Sequence, residues 1–118
     1  MADQKPVGKF IHRDQAEIAV SGGNAIAPLL SAAETAGRFA VREIVTEPGA
    51  APAPTLPVAD NRYVFVVAGE WEIEAGGERR AAGEGVSVFI PAGETYRSRL
   101  VGASPGKLLE IAAPVARG

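Results

Sequence analysis

Short apolar runs, each closed by glycine or proline, organise this chain. Residues 62–67, Arg-Tyr-Val-Phe-Val-Val, are mostly β-branched or aromatic and predict the strongest strand. Gly69 breaks it. Residues 70–74 alternate charged and apolar, a period of two that predicts a half-exposed strand. Gly76-Gly77 then predicts a tight hairpin, with residues 78–82 returning. Further strands are predicted over 38–46, 86–90, 96–101 and 107–112. Gly83-Glu84-Gly85, Pro91-Ala92-Gly93 and Ser104-Pro105-Gly106 mark turns between the later ones.

The N-terminal third is less regular. Residues 10–20 predict one or two short strands anchored by Phe10, Ile11, Ile18 and Val20. Residues 25–30 predict a short strand interrupted by Pro28, and 31–36 a loop or single turn. The Ala/Pro-rich stretch 50–57 predicts an extended loop, because proline removes ladder donors. Residues 1–8 are expected to be flexible. Many short strands with no long amphipathic helix mean a sandwich, barrel or jelly roll.

Composition narrows the function classes. A chain of 118 residues fits one domain, 1–118. Net charge is -2 with both signs interspersed, so no nucleic-acid partner is expected. No apolar run approaches the roughly 20 residues of a membrane span, and no secretory leader is evident. A cytoplasmic protein with no membrane partner is therefore expected. The absence of cysteine excludes disulfides, zinc fingers and thiol nucleophiles. His12 is the single histidine. A zinc, iron or copper site normally draws on several His or Cys, so no metal and no other cofactor is expected. Ser87 and Ser98 have no nearby His or acid in sequence for a triad. Gly83-Glu84-Gly85 opens no helix and is not a phosphate loop. Glu70, Glu72, Glu74 and Glu78 read as a solvated face.

Two spacings of glycine and proline carry a family resemblance. Gly49 is followed at set intervals by Thr55, Pro57, Arg62 and Gly69. Gly85 is followed by Pro91, Gly93, Tyr96 and Leu100. This framework resembles the two motifs of the cupin superfamily over roughly the last two thirds of the chain. Small bacterial cupins of the polyketide-cyclase and quercetin-dioxygenase-like kinds are the nearest in character. The resemblance implies an all-β, jelly-roll β-barrel in one domain, its barrel part at about 37–114. The family's metal-ligand positions here hold Thr55, Pro57, Arg62 and Tyr96 in place of His, His, Glu and His. Proline offers no ligating atom, and arginine is a permanent cation. The resemblance therefore implies a barrel without its usual metal.

The resemblance also implies that Thr55, Arg62 and Tyr96 point into the barrel. Strand alternation then adds Val64, Val66, Val88, Ile90 and Ser98 to a largely apolar interior that binds a small molecule. Arg62 suits a carboxylate, an enolate or a developing oxyanion; alternatively it pairs with Asp60 or Glu43 at the barrel mouth. Tyr96 moves a proton, or is a core aromatic with a satisfied hydroxyl. Glu43 and Glu110 interrupt apolar strands, and each is a candidate base or partner for Arg62. Thr55 is a candidate substrate contact or a turn residue. Trp71 is a candidate substrate contact, with packing in the core or at a dimer interface the stronger expectation. His12 is a surface residue or a base at the barrel mouth.

Three functions remain open. The first is a metal-independent cyclase or isomerase of bacterial secondary metabolism, acting on a small, largely apolar substrate by acid–base or shape-directed catalysis. The second is a non-catalytic binding or sensing module. The third is a metal cupin, such as a dioxygenase, using carboxylates and His12. Tyr63, Phe65 and Val67 on an outer face suit a homodimer.

Overall fold

The computed structural model describes residues 8–51 and 56–115. Its strands in chain order are β1 (Ala19–Ser21), β2 (Asn24–Leu30), β3 (Ala40–Thr46), β4 (Leu56–Pro57), β5 (Asn61–Ala68), β6 (Trp71–Ala75), β7 (Glu78–Ala82), β8 (Ser87–Ile90), β9 (Thr95–Leu100) and β10 (Gly106–Ala113). Every pairing is antiparallel. One sheet has six strands in the order β1-β2-β3-β10-β5-β8. The other has four, β4-β9-β6-β7. They pack face to face as the expected all-β jelly roll. The remaining regular structure among the described residues is two 3-10 turns, Arg13–Gln15 and Ala32–Thr35.

The core lies between the sheets. Val64, Val66, Ile90 and Leu108 are fully buried, and Val58, Trp71, Ile73 and Ala82 complete the cluster. Alternation explains the list: β5 sends Val64 and Val66 inward while Tyr63 and Val67 face outward. The glycines that set the motif spacing, Gly49, Gly69, Gly85 and Gly93, all have φ between 83° and 93°. That backbone region strains a residue bearing a Cβ. Gly69 also meets β10 closely, since a Cβ there would lie 2.8 Å from the Gly106 Cα. Gly106 in turn leaves room for Trp71, whose ring would be 2.7 Å from a Cβ at that position. This end of the barrel is closed by backbone against backbone.

The N-terminal expectation needs correction. Residues 10–20 contribute only β1 and a 3-10 turn. Phe10, Ile11, Ile18 and Val20 are all exposed, Phe10 completely, so they anchor nothing in the core. The loop at 31–36 is the second 3-10 turn, held by a capping box in which Ser31 and Glu34 satisfy each other's backbone N–H. Of the flexible segment expected at 1–8, residues 1–7 lie outside the described residues.

Candidate active site

The two sheets part at one end around a cavity of about 660 Å³. That volume falls within the range typical of small-molecule sites. Ile44, Leu56, Pro57, Trp71 and Leu100 supply apolar wall, and Arg42, Arg62, Tyr96, Ser98 and Glu110 supply the polar groups. Each arrives by strand alternation. On β3 the inward positions are Arg42, Ile44 and Thr46; on β9 they are Tyr96, Ser98 and Leu100. On β10, Gly106, Leu108 and Glu110 alternate inward and are buried.

Glu110 is the centre of the polar cluster. It is 3 % exposed, yet both its oxygens are satisfied. Arg42, directly across the β3–β10 ladder, donates its Nε to Oε1 at 2.9 Å and holds its second guanidinium nitrogen 2.8 Å from the same oxygen. The Tyr96 hydroxyl, reaching from the opposite sheet, donates to Oε2 at 2.9 Å. Burial, and after it the negative charge of Glu110, push the Tyr96 phenol well above its usual value. A hydrogen bond with Ser98 and the positive charge of Arg62 oppose this less strongly. Tyr96 is thus a neutral hydroxyl at any physiological pH.

Arg62 is different. It lies on β5 beside β10, two residues from Val64, which is the cross-strand partner of Glu110. Its Nε is buried and has no hydrogen-bond partner. Neither Asp60 nor Glu43 pairs with it among the described residues. A buried donor left without an acceptor costs about 1–3 kcal/mol, more for a charged group. Among the described residues it is the buried donor of this cluster that is left open.

The remaining candidates are distributed as follows. Ser98 and Trp71 line the cavity; the Trp71 indole N–H donates to the Ala68 carbonyl at 3.0 Å, which fixes the ring as wall. Val64, Val66 and Ile90 face inward as expected, but they are packed into the core and do not line the cavity; Val88 packs against the same core. Glu43 faces the opposite side of the sheet. There it pairs with Arg13 at 3.2 Å and Lys107 at 3.6 Å, so it is not in the candidate site. Thr55 lies outside the described residues. His12 is exposed, and its Nδ1 accepts from the Asp14 backbone N–H at the first 3-10 turn. Arg42 was not among the sequence candidates. Its signal was present: it shares parity with Ile44 and Thr46.

A divalent metal does not fit this donor set. Among the described residues no three His, Cys, Asp or Glu side chains come together. The one carboxylate in the cavity is held by a guanidinium and a phenol, and a second guanidinium stands beside it.

Residues 42–112 match the family model described as a cupin domain. The chain belongs to the cupin family. Among solved structures, an RmlC-like cupin from Shewanella frigidimarina NCIMB 400 superposes with a TM-score of 0.77 at 19% identity, covering 95% of this chain and 96% of that one. The polyketide cyclase RemF from Streptomyces resistomycificus gives 0.76 at 20% identity, covering 91% and 80%. KdgF from Halomonas sp. gives 0.77 at 15%, covering 93% and 96%. At these identities the likeness shows the cupin fold alone. No curated protein sequence matches the chain. No helix among the described residues of this cupin is long and apolar enough to cross a membrane.

Proposed function

We propose that this cupin is a metal-independent enzyme that cyclises or isomerises a small, largely apolar carbonyl compound by acid–base chemistry. The observation behind this reading is the chain Tyr96–Glu110–Arg42 on one side of the cavity, with the unpartnered Arg62 Nε beside it. The substrate carbonyl oxygen accepts from Arg62. A proton leaves the adjacent carbon for the Tyr96 oxygen while the phenolic proton passes to Glu110 Oε2. The carbon's electron pair moves onto the carbonyl oxygen as an enolate, which Arg62 stabilises. No tyrosinate forms, consistent with the raised pKa of the phenol. Return of the proton to a different carbon completes an isomerisation. Attack of the enolate carbon on a second carbonyl of the same molecule re-forms the first carbonyl, and the new alkoxide takes a proton from Tyr96 as Glu110 returns its own to the phenol; the apolar walls favour the folded substrate this cyclisation requires. Likeness to a polyketide cyclase supports a place in bacterial secondary metabolism. The exposed outer-face residues Tyr63, Val67 and Phe89 support a homodimer.

The test is turnover of an enolisable diketone or polyketide-like substrate, followed by proton exchange and product analysis. Tyr96→Phe and Glu110→Gln should each lower kcat by roughly 10²–10⁴ with little change in ligand affinity. If these variants lose affinity alone and wild type forms no product, the protein is a binding module and the catalytic reading fails.

A further inference from the structure

The charges around the cavity do not balance. Among the described residues, the two cations and one carboxylate of the inward-facing cluster, Arg42, Arg62 and Glu110, have no charged partner beyond one another. Arg97 and Arg99, also at its edge, have the outward parity of β9; Arg99 pairs with Glu72 at 3.0 Å, and Arg97 shares Glu74 with Arg79 at 3.9 and 3.8 Å. Glu110 Oε1 is engaged by Arg42 and Oε2 by Tyr96, and the Arg62 Nε bonds to neither. Tyr96 stays neutral and contributes no charge. One positive charge is therefore left over, and it sits where the buried Arg62 Nε lacks an acceptor. Elsewhere the cavity wall is apolar, with Trp71, Leu100 and Ile44.

We infer that the cavity is a monoanion site, selective for a single oxygen anion carried on an apolar, ring-sized body: an enolate, a phenolate or an aryl carboxylate. The inference rests on the reading that Arg62 faces the ligand oxygen, and it adds that the site selects the ionised form over the neutral one. A neutral enol or phenol entering this cavity gives up its proton more readily than in water, because the anion closes both the charge imbalance and the open hydrogen bond. A dianion would leave one negative charge without a balancing cation in the cluster. The geometry also gives Arg42 a positioning role. It holds Glu110 away from Arg62, and so keeps Arg62 free.

The experiment uses p-nitrophenol, whose phenolate absorbs at longer wavelength than the phenol. It is titrated with the intact protein across pH. The apparent pKa of the bound probe should fall by about 1–3 units relative to free probe. Arg62→Gln should abolish the shift, Arg62→Lys should restore part of it, and Glu43→Gln on the outer face should leave it unchanged. Circular dichroism and thermal melts of each variant separate loss of the site from loss of the fold. Benzoate should displace the probe at least tenfold more strongly than benzamide. A bound probe with unshifted pKa, a shift that survives Arg62→Gln in the folded protein, equal displacement by benzoate and benzamide, or no binding at all would overturn the inference. The measurement does not depend on turnover. A shifted probe in a protein whose Tyr96→Phe variant still forms product at the normal rate would defeat the acid–base mechanism and leave the monoanion site standing.

Discussion

Arg42 and Glu43 are neighbours in sequence and face opposite sides of one sheet. Each is half-buried, and each is in an ion-paired cluster spanning β3 and β10. On the outer face one carboxylate, Glu43, meets two cations, Arg13 and Lys107, at 3.2 and 3.6 Å, and the Arg13 end of the cluster is open to solvent. On the inner face one carboxylate, Glu110, also stands with two cations, but only Arg42 reaches it. The two clusters have the same formal charges and different consequences. Outside, the surplus is dissipated by water and salt. Inside, it faces a cavity, and in the proposed reading it is the binding determinant.

Mutations should separate the two faces, and the largest effect is expected at the inner one. Glu110→Ala leaves Arg42 and Arg62 as uncompensated neighbours and should cost about 3–5 kcal/mol in urea unfolding. Replacing the pair together, Arg42→Leu with Glu110→Leu, should recover most or all of that stability while activity stays lost. A double variant as unstable as Glu110→Ala would show that the cluster is structural rather than functional.

Tyr96→Phe comes next, at about 1.5–3 kcal/mol for a hydrogen bond to a charged group. Its signature is the pH dependence. The folded pKa of Tyr96 is raised, so its stabilising contribution is complete below the ordinary value of 10.0 and is lost as pH rises toward the folded value. Wild type should therefore lose stability above about pH 10 more steeply than Tyr96→Phe. Parallel alkaline limbs would contradict the buried, neutral phenol. The smallest effect is expected outside: Glu43→Ala should cost about 0.2–1 kcal/mol, and less at high salt. A salt-insensitive loss of several kcal/mol would erase the contrast between the faces.

Much of this was legible in the sequence, for identifiable reasons. Turn glycines and period-two runs located β3 and β5 to β10 to within one or two residues, whereas β4 (Leu56–Pro57) falls in the stretch read as an extended loop. The ligand-position replacements Pro57, Arg62 and Tyr96 do converge on one cavity. What was not legible was parity where both faces mix charge and apolar residues. On β3, Val41 and Val45 accompany Glu43, and Ile44 accompanies Arg42, so neither face declares itself core. Only the ladder with β10, pairing Arg42 with Glu110, decides it. Likewise Val64, Val66 and Ile90 were rightly placed inward, but sequence does not say how deep the packing runs before the cavity opens. Phe10 and Val20 misled because an apolar side chain does not name its partner.

The cross-strand placement of Glu110 has a consequence for folding. It lies opposite Arg42 on one side and Val64 on the other, in the middle of the six-stranded sheet. A slip of β10 by one residue would turn Leu109 or Ile111 into the cavity beside an unmatched guanidinium and send Glu110 out toward Glu43. Both errors are electrostatically penalised. The residues that gather in the cavity also proofread the alignment of the strands, so a chain that has assembled its sheet correctly has, in the same step, assembled its candidate site.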